Sequence, residues 1–235
     1  MKRVLCLGLF AAVGAAGCAS SHPAPIYYGP APGTPAAEPN VSAPVATGTR
    51  FDTAPAAPVS GDLFVCNRSG SNLGPVDASG RSAVYSPWIS ISGVTLMRNP
   101  TEGACLSSGY GWRNIANGGG RDHGGMDLAN PDGGFIYAAG AGRVVRSGPR
   151  GSYGLAIEID HGAGVSTLYG HLAEIAPGVI AGAWAPAGAV IGFMGKTGNA
   201  TGVHLHYEVR SNSLRVDPLT YGSPAFASSD SAIAY

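Results

Sequence analysis

Two histidines two residues apart offer the first usable chemistry, His204 and His206 in "GVHLHYEVR". On an extended strand, residues two apart share a face. His204, His206, Glu208 and Arg210 then point one way, and Leu205, Tyr207 and Val209 point the other, toward a core. Two imidazoles about 7 Å apart along one face can converge on a single site, although a His-x-His alone reads equally well as a pair of surface imidazoles. The second set is "DHGGMD", where His123 and Asp127 stand four apart. Gly124 and Gly125 argue against a helix there, and in extended chain a spacing of four again returns to one face. Imidazole nitrogen and carboxylate oxygen are both good zinc donors. The third is His171 in "TLYGHL", at the end of a predicted strand. His161 in "IDHGAG" sits where the chain turns and reads as structural.

Strands have to carry these side chains. Leu155, Ile157 and Ile159 alternate with Ala156, Glu158 and Asp160, the period of a half-buried strand. Arg143 to Arg146 and Val165 to Tyr169 read as further strands, and no segment between Cys105 and Tyr221 has a helical period with caps. The chain of 235 residues holds 37 Gly and 18 Pro, and only 12% of it is charged. Many short strands joined by tight turns fit that composition. Formal net charge is zero, and Lys2-Arg3 is the only basic run. Electrostatics thus gives no reason to expect nucleic acid as a partner.

Taken together, the three sets resemble the LytM/lysostaphin-type family of zinc metallopeptidases, which carries His-x-x-x-Asp, Tyr-x-His-Leu and His-x-His in this order. "SSGYGWR" precedes the first motif as a similar Gly-x-Arg strand does in the family, and "IDHGAGVSTLYGHL" and "GKTGNATGVHLHYEVR" match nearly throughout. The resemblance covers about half the chain, from Cys105 to Pro218. Val203 stands where Pro is frequent, and Ala183-Trp184 where Gly-Gln is frequent; neither change removes a reactive group. The resemblance implies a mainly β fold, a compact antiparallel sheet domain of the lysostaphin-like, barrel-sandwich hybrid type with a substrate groove. It implies one Zn2+ per chain held by His123, Asp127 and His206, with His171 and His204 beside it as acid–base groups and Arg113 in support. Peptidoglycan stem peptides and cross-links are the substrate it implies, with D,D-endopeptidase activity on D-Ala–diamino acid bonds favoured. Some relatives have lost ligands and serve as binding modules that activate other wall hydrolases; all three ligands and both accessory histidines are present here.

The rest of the chain reads as delivery. Lys2-Arg3, the apolar Val4 to Val13 and the small residues Ala15-Ala16-Gly17 lead to Cys18. The run is too short to span a bilayer and suits a secretory signal. A Cys after small residues resembles a lipobox, so 1–17 is expected to be cleaved and Cys18 lipidated, anchoring the protein in the cell envelope facing the periplasm. Ala19 after the Cys leans toward the outer membrane. The Pro- and Ala-rich stretch 18–60 reads as a flexible linker. Residues 61–104 are expected to form short strands packed on the catalytic domain at 105–222, placed where they could cover its groove, and 223–235 a mobile tail. Cys66 and Cys105 remain after processing, an even pair in an oxidising compartment, and are expected to form a disulfide. A monomer is expected.

Overall fold

The computed structural model describes residues 50–67, 70–115 and 119–222. The expected signal 1–17, Cys18, the linker through residue 49 and the tail 223–235 lie outside the described residues. Among the described residues, no helix is long and apolar enough to cross a membrane.

The fold is mainly β. A hairpin of β1 (Trp88–Ile91) and β2 (Val94–Met97) comes first. After β3 (Cys105–Ser108), a second hairpin is made by β4 (Gly111–Ile115) and β5 (Gly119–His123). Then follow β6 (Met126–Ala129), β7 (Phe135–Tyr137), β8 (Gly142–Pro149), β9 (Leu155–Gly162), β10 (Val165–Ile175), β11 (Trp184–Ala185), β12 (Val190–Met194), β13 (His204–Ser211) and β14 (Leu214–Val216). Ten of these strands form one antiparallel sheet in the order β11-β8-β9-β10-β13-β6-β3; β12 pairs with β10 and β7, and β14 with β13.

The alternation along β9 places Ile157 and Ile159 in the core. On β13, Leu205, Tyr207 and Val209 are fully buried beneath the face that carries the histidines. Tyr207 Oη donates to the Met97 carbonyl at 3.0 Å, tying this layer to the β1–β2 hairpin. His161 is structural: Nδ1 donates to the Ala141 carbonyl at 2.9 Å and Nε2 lies 2.8 Å from Thr167 Oγ1. Burial lowers its pKa and favours the neutral ring.

β10 does not end before His171. It pairs with β13 through Gly170 and with β12 from Leu172 onward, and its register with β9 shifts between Tyr169 and Leu172. His171 sits at this changeover with a φ of 65°, a left-handed conformation uncommon outside glycine. The bulge turns one side chain out of the pleat while the strand runs on, so a count of alternating residues places the end too early.

The segment before Cys105 continues the sheet at its β3 edge. Val65 bridges Leu106 and Ser71 bridges Ser108, both in parallel sense. Cys66 N donates to Leu106 O at 2.9 Å and Leu106 N to Phe64 O at 2.8 Å. Leu63, Val65 and Leu73 join the common core, and Cys66 and Cys105 are joined by a disulfide. An otherwise open edge strand is thereby covered. Arg98, 1% exposed, donates to the carbonyls of Pro218 at 2.6 Å, Tyr221 at 2.8 Å and Trp88 at 3.1 Å, holding the chain end of the domain against the first hairpin. Residues 50–60, within the stretch read as linker, also touch the sheet. The Arg50 guanidinium lies 4.1 Å from the Phe193 ring centroid, the Phe51 ring is tilted against Phe135 with centroids 6.1 Å apart, and Ala57 packs against the core.

Candidate metal centre

Three strands meet at the site. β5 ends on His123, β6 begins one residue before Asp127, and β13 begins on His204. Asp127 and His206 are direct cross-strand partners. His123 reaches them because the chain turns back through Gly124-Gly125. A Cβ on Gly125 would lie 2.2 Å from the Tyr207 carbonyl oxygen, so only glycine lets β6 come this close to β13.

The ligand atoms face one another. His123 Nε2 is 3.0 Å from Asp127 Oδ1, His206 Nδ1 is 2.9 Å from the same oxygen, and the two nitrogens are 3.1 Å apart. Each ring has its other nitrogen committed. His123 Nδ1 donates to the Gly109 carbonyl at 2.7 Å, and His206 Nε2 donates to Glu208 Oε1 at 3.2 Å. With those protons in place, the facing nitrogens of the neutral rings carry lone pairs, and so does the carboxylate oxygen. Three acceptors packed together and nearly buried are mutually repulsive unless a cation lies among them. Their types, number and convergence within 4.8 Å fit a metal ion.

His171 and His204 stand beside this trio. His171 Nδ1 donates to the Thr197 carbonyl at 2.8 Å and His204 Nδ1 to the Gly202 carbonyl at 3.0 Å, so in the neutral tautomers these bonds select, Nε2 is the acceptor. Their ring centroids are 4.7 Å apart, and His204 Nε2 is 3.7 Å from Asp127 Oδ1. Burial lowers the pKa of His171 to about 4.

Around these five side chains lies a set of charged partners. Glu208, 1% exposed, holds His206 and also accepts from Tyr153 Oη at 2.7 Å, Arg210 Nη2 at 2.6 Å and Arg215 Nε at 3.2 Å. Burial pushes its carboxyl up, but the hydrogen bonds from His206, Tyr153 and Arg210 outweigh it and hold the pKa at about 2. The spacing of Glu208, two beyond His206 on the same face, was the available signal. Nothing local in the sequence points to Tyr153 or Arg215. Arg113 Nη1 donates to Asp127 Oδ2 at 3.2 Å and to Ser108 Oγ at 3.1 Å, fixing the carboxylate from the second side.

The site opens into a groove of about 300 Å³ whose lining includes Arg121, Tyr153, His171, His204 and Arg215. A neighbouring cavity shares Arg113, Asp127, Thr201 and His204 with it. Among the described residues of the extension, Gly70 and Ser71 line this second cavity.

Residues 121–218, which contain all five of these side chains, match the model of Peptidase family M23. The chain carries an M23 peptidase domain. Over 106 residues it is 43% identical to the DD-carboxypeptidase/endopeptidase Mpg of Neisseria meningitidis, an alignment covering 44% of this chain and 24% of that protein. Over 101 residues it is 40% identical to the uncharacterized lipoprotein YgeR of Escherichia coli, covering 43% of this chain and 39% of YgeR. A crystal structure of a zinc containing peptidase from Vibrio cholerae aligns at 29% identity and a TM-score of 0.49, over 63% of this chain and 48% of that one. The chain spans well under half the length of these curated relatives.

Proposed function

We propose that this protein is a zinc-dependent endopeptidase that hydrolyses the peptide cross-links of peptidoglycan, cutting the bond between D-alanine and a diamino acid. The observation that carries the reading is the meeting of His123 Nε2, Asp127 Oδ1 and His206 Nδ1 within 3.1 Å of one another. These three residues hold the ion. Zinc, when bound, lowers the pKa of a water to about 7 and polarises a carbonyl. The chain's own residues do the rest. His171 and His204 each present a bare Nε2 to the groove, where one accepts the proton of the attacking water and the pair returns a proton to the leaving amine. Their Nδ1 bonds to backbone carbonyls keep both rings in the tautomer this requires.

The same reading places the enzyme in the cell envelope. Residues 1–17 are removed on export, Cys18 carries the lipid, and 18–49 give reach from the membrane, the outer one favoured, to the wall. The name of the Escherichia coli relative as a lipoprotein supports the anchor, and the DD-endopeptidase activity in the name of the Neisseria relative supports the bond.

Metal analysis of the purified protein, combined with turnover of cross-linked muropeptides, tests the proposal. Wild type is expected to carry one zinc and release uncross-linked products, and Asp127→Ala to lose both. A wild type that stays metal-free under zinc loading and leaves the cross-links intact would overturn it.

A further inference from the structure

The β4–β5 hairpin sets two arginines directly opposite each other, Arg113 on β4 and Arg121 on β5. Directly opposed like charges destabilise an antiparallel pair. Both residues line the groove at the metal centre. Arg113 is only partly neutralised: Nη1 makes both of its bonds, and Nε is buried without a hydrogen-bond partner. Arg121 is exposed and has no hydrogen-bond or ion partner among the described residues. The third groove arginine, Arg215, is already engaged with Glu208 and Tyr153. Asp122 also lines the groove, but it pairs in register with Trp112, so the alternation of β5 turns it to the other face from Arg121. On that shared face, Arg121 is two residues from His123, about 7 Å along the strand.

We propose that Arg113 and Arg121 form a subsite for a free carboxylate on the amine side of the scissile bond. This inference rests on the peptidase reading and specifies its substrate class. In a cross-link between D-alanine and a diamino dicarboxylic acid, the carbon bearing the acylated amine also bears a carboxylate. That group lies within one residue of the cleaved amide, the range over which these arginines stand from the metal ligands. A chain ending in D-Ala–D-Ala has the same carboxylate next to its last amide, so one subsite serves both an endopeptidase and a carboxypeptidase reaction. A glycine bridge cut in its interior offers no such group.

Two synthetic cross-link mimics test this: D-alanine joined to the D-centre amine of a diamino acid, with the adjacent carboxyl either free or as the primary amide. The released diamino-acid products, free and amidated, serve as binding probes by calorimetry on the zinc-loaded protein. A charge-assisted hydrogen bond corresponds to roughly 10- to 100-fold. Wild type is expected to prefer the acid by about that factor in kcat/KM. Arg121→Gln is expected to lose most of the preference by slowing the acid far more than the amide, with zinc content retained, and Arg121→Lys to keep much of it. Equal use of acid and amide by wild type, or an unchanged acid-to-amide ratio in Arg121→Gln, overturns the subsite. Should wild type cleave neither mimic, the peptidase reading fails and the product probes decide the subsite separately. Tighter binding of the acid in wild type but not in Arg121→Gln sustains it, and equal binding of acid and amide removes it.

Discussion

Each imidazole at the centre has one nitrogen committed to an oxygen, and that commitment decides what the other nitrogen can do. For His206 the holding group is Glu208, and a carboxylate in this position both orients the ring and raises its basicity as a ligand. Glu208→Gln keeps the shape of the side chain but removes the charge. Zinc affinity is expected to fall about 10- to 100-fold, read by competition with a chromophoric chelator; unchanged affinity would reduce Glu208 to a structural anchor for Arg210 and Arg215. His171 and His204 use backbone carbonyls for the same purpose. Their replacement by alanine is expected to leave most of the zinc in place while turnover drops about 10²- to 10⁴-fold. Zinc analysis of both variants checks the division of roles, since metal loss in His204→Ala as deep as in His206→Ala would make His204 a ligand.

Elements place these atoms through close backbone approach. β6 and β13 are in register from Tyr207↔Met126 to His204↔Ala129, so the Asp127–His206 pair depends on the strands staying at normal separation beside it. Gly125 guards that separation. In Gly125→Ala the new methyl would meet the Tyr207 carbonyl at 2.2 Å, backbone that cannot swing aside. The expected cost is about 1–3 kcal/mol or more, with zinc binding impaired together with stability. Gly61→Ala, where nothing lies within 4 Å of the added carbon, is the control and should stay within about 0.5 kcal/mol of wild type. Urea titration with and without zinc checks both. The changeover of β10 at His171 belongs to this scale as well. Periodicity revealed the strand, but a bulge is a relation between strands and leaves no mark in the spacing of one.

At the scale of the whole molecule, the segment before Cys105 belongs to the same core as the M23 domain, through Leu63, Val65 and Leu73. The Cys66–Cys105 bridge, spanning 39 residues in sequence, locks that attachment. The double variant Cys66→Ala, Cys105→Ala should lose roughly 3 to 4 kcal/mol on the chain-entropy model, measured by denaturant unfolding under oxidising conditions. A loss under about 1 kcal/mol would show that packing and the parallel bridges hold the segment without it. Much of this protein was determined by its sequence alone: the β class, the strands β8, β9 and β10 in outline, the two available thiols, and the candidate side chains. Local periodicity decides which residues share a face, and donor chemistry decides which of them can face a cation. Tertiary structure alone decided the rest. It brought Tyr153, Arg215 and Gly109 to the site from distant positions, set Arg113 against Arg121, carried β10 past His171, and laid Val65 and Ser71 along β3. These are properties of strand pairing and backbone approach between segments far apart in the chain, and residue types read one after another do not contain them.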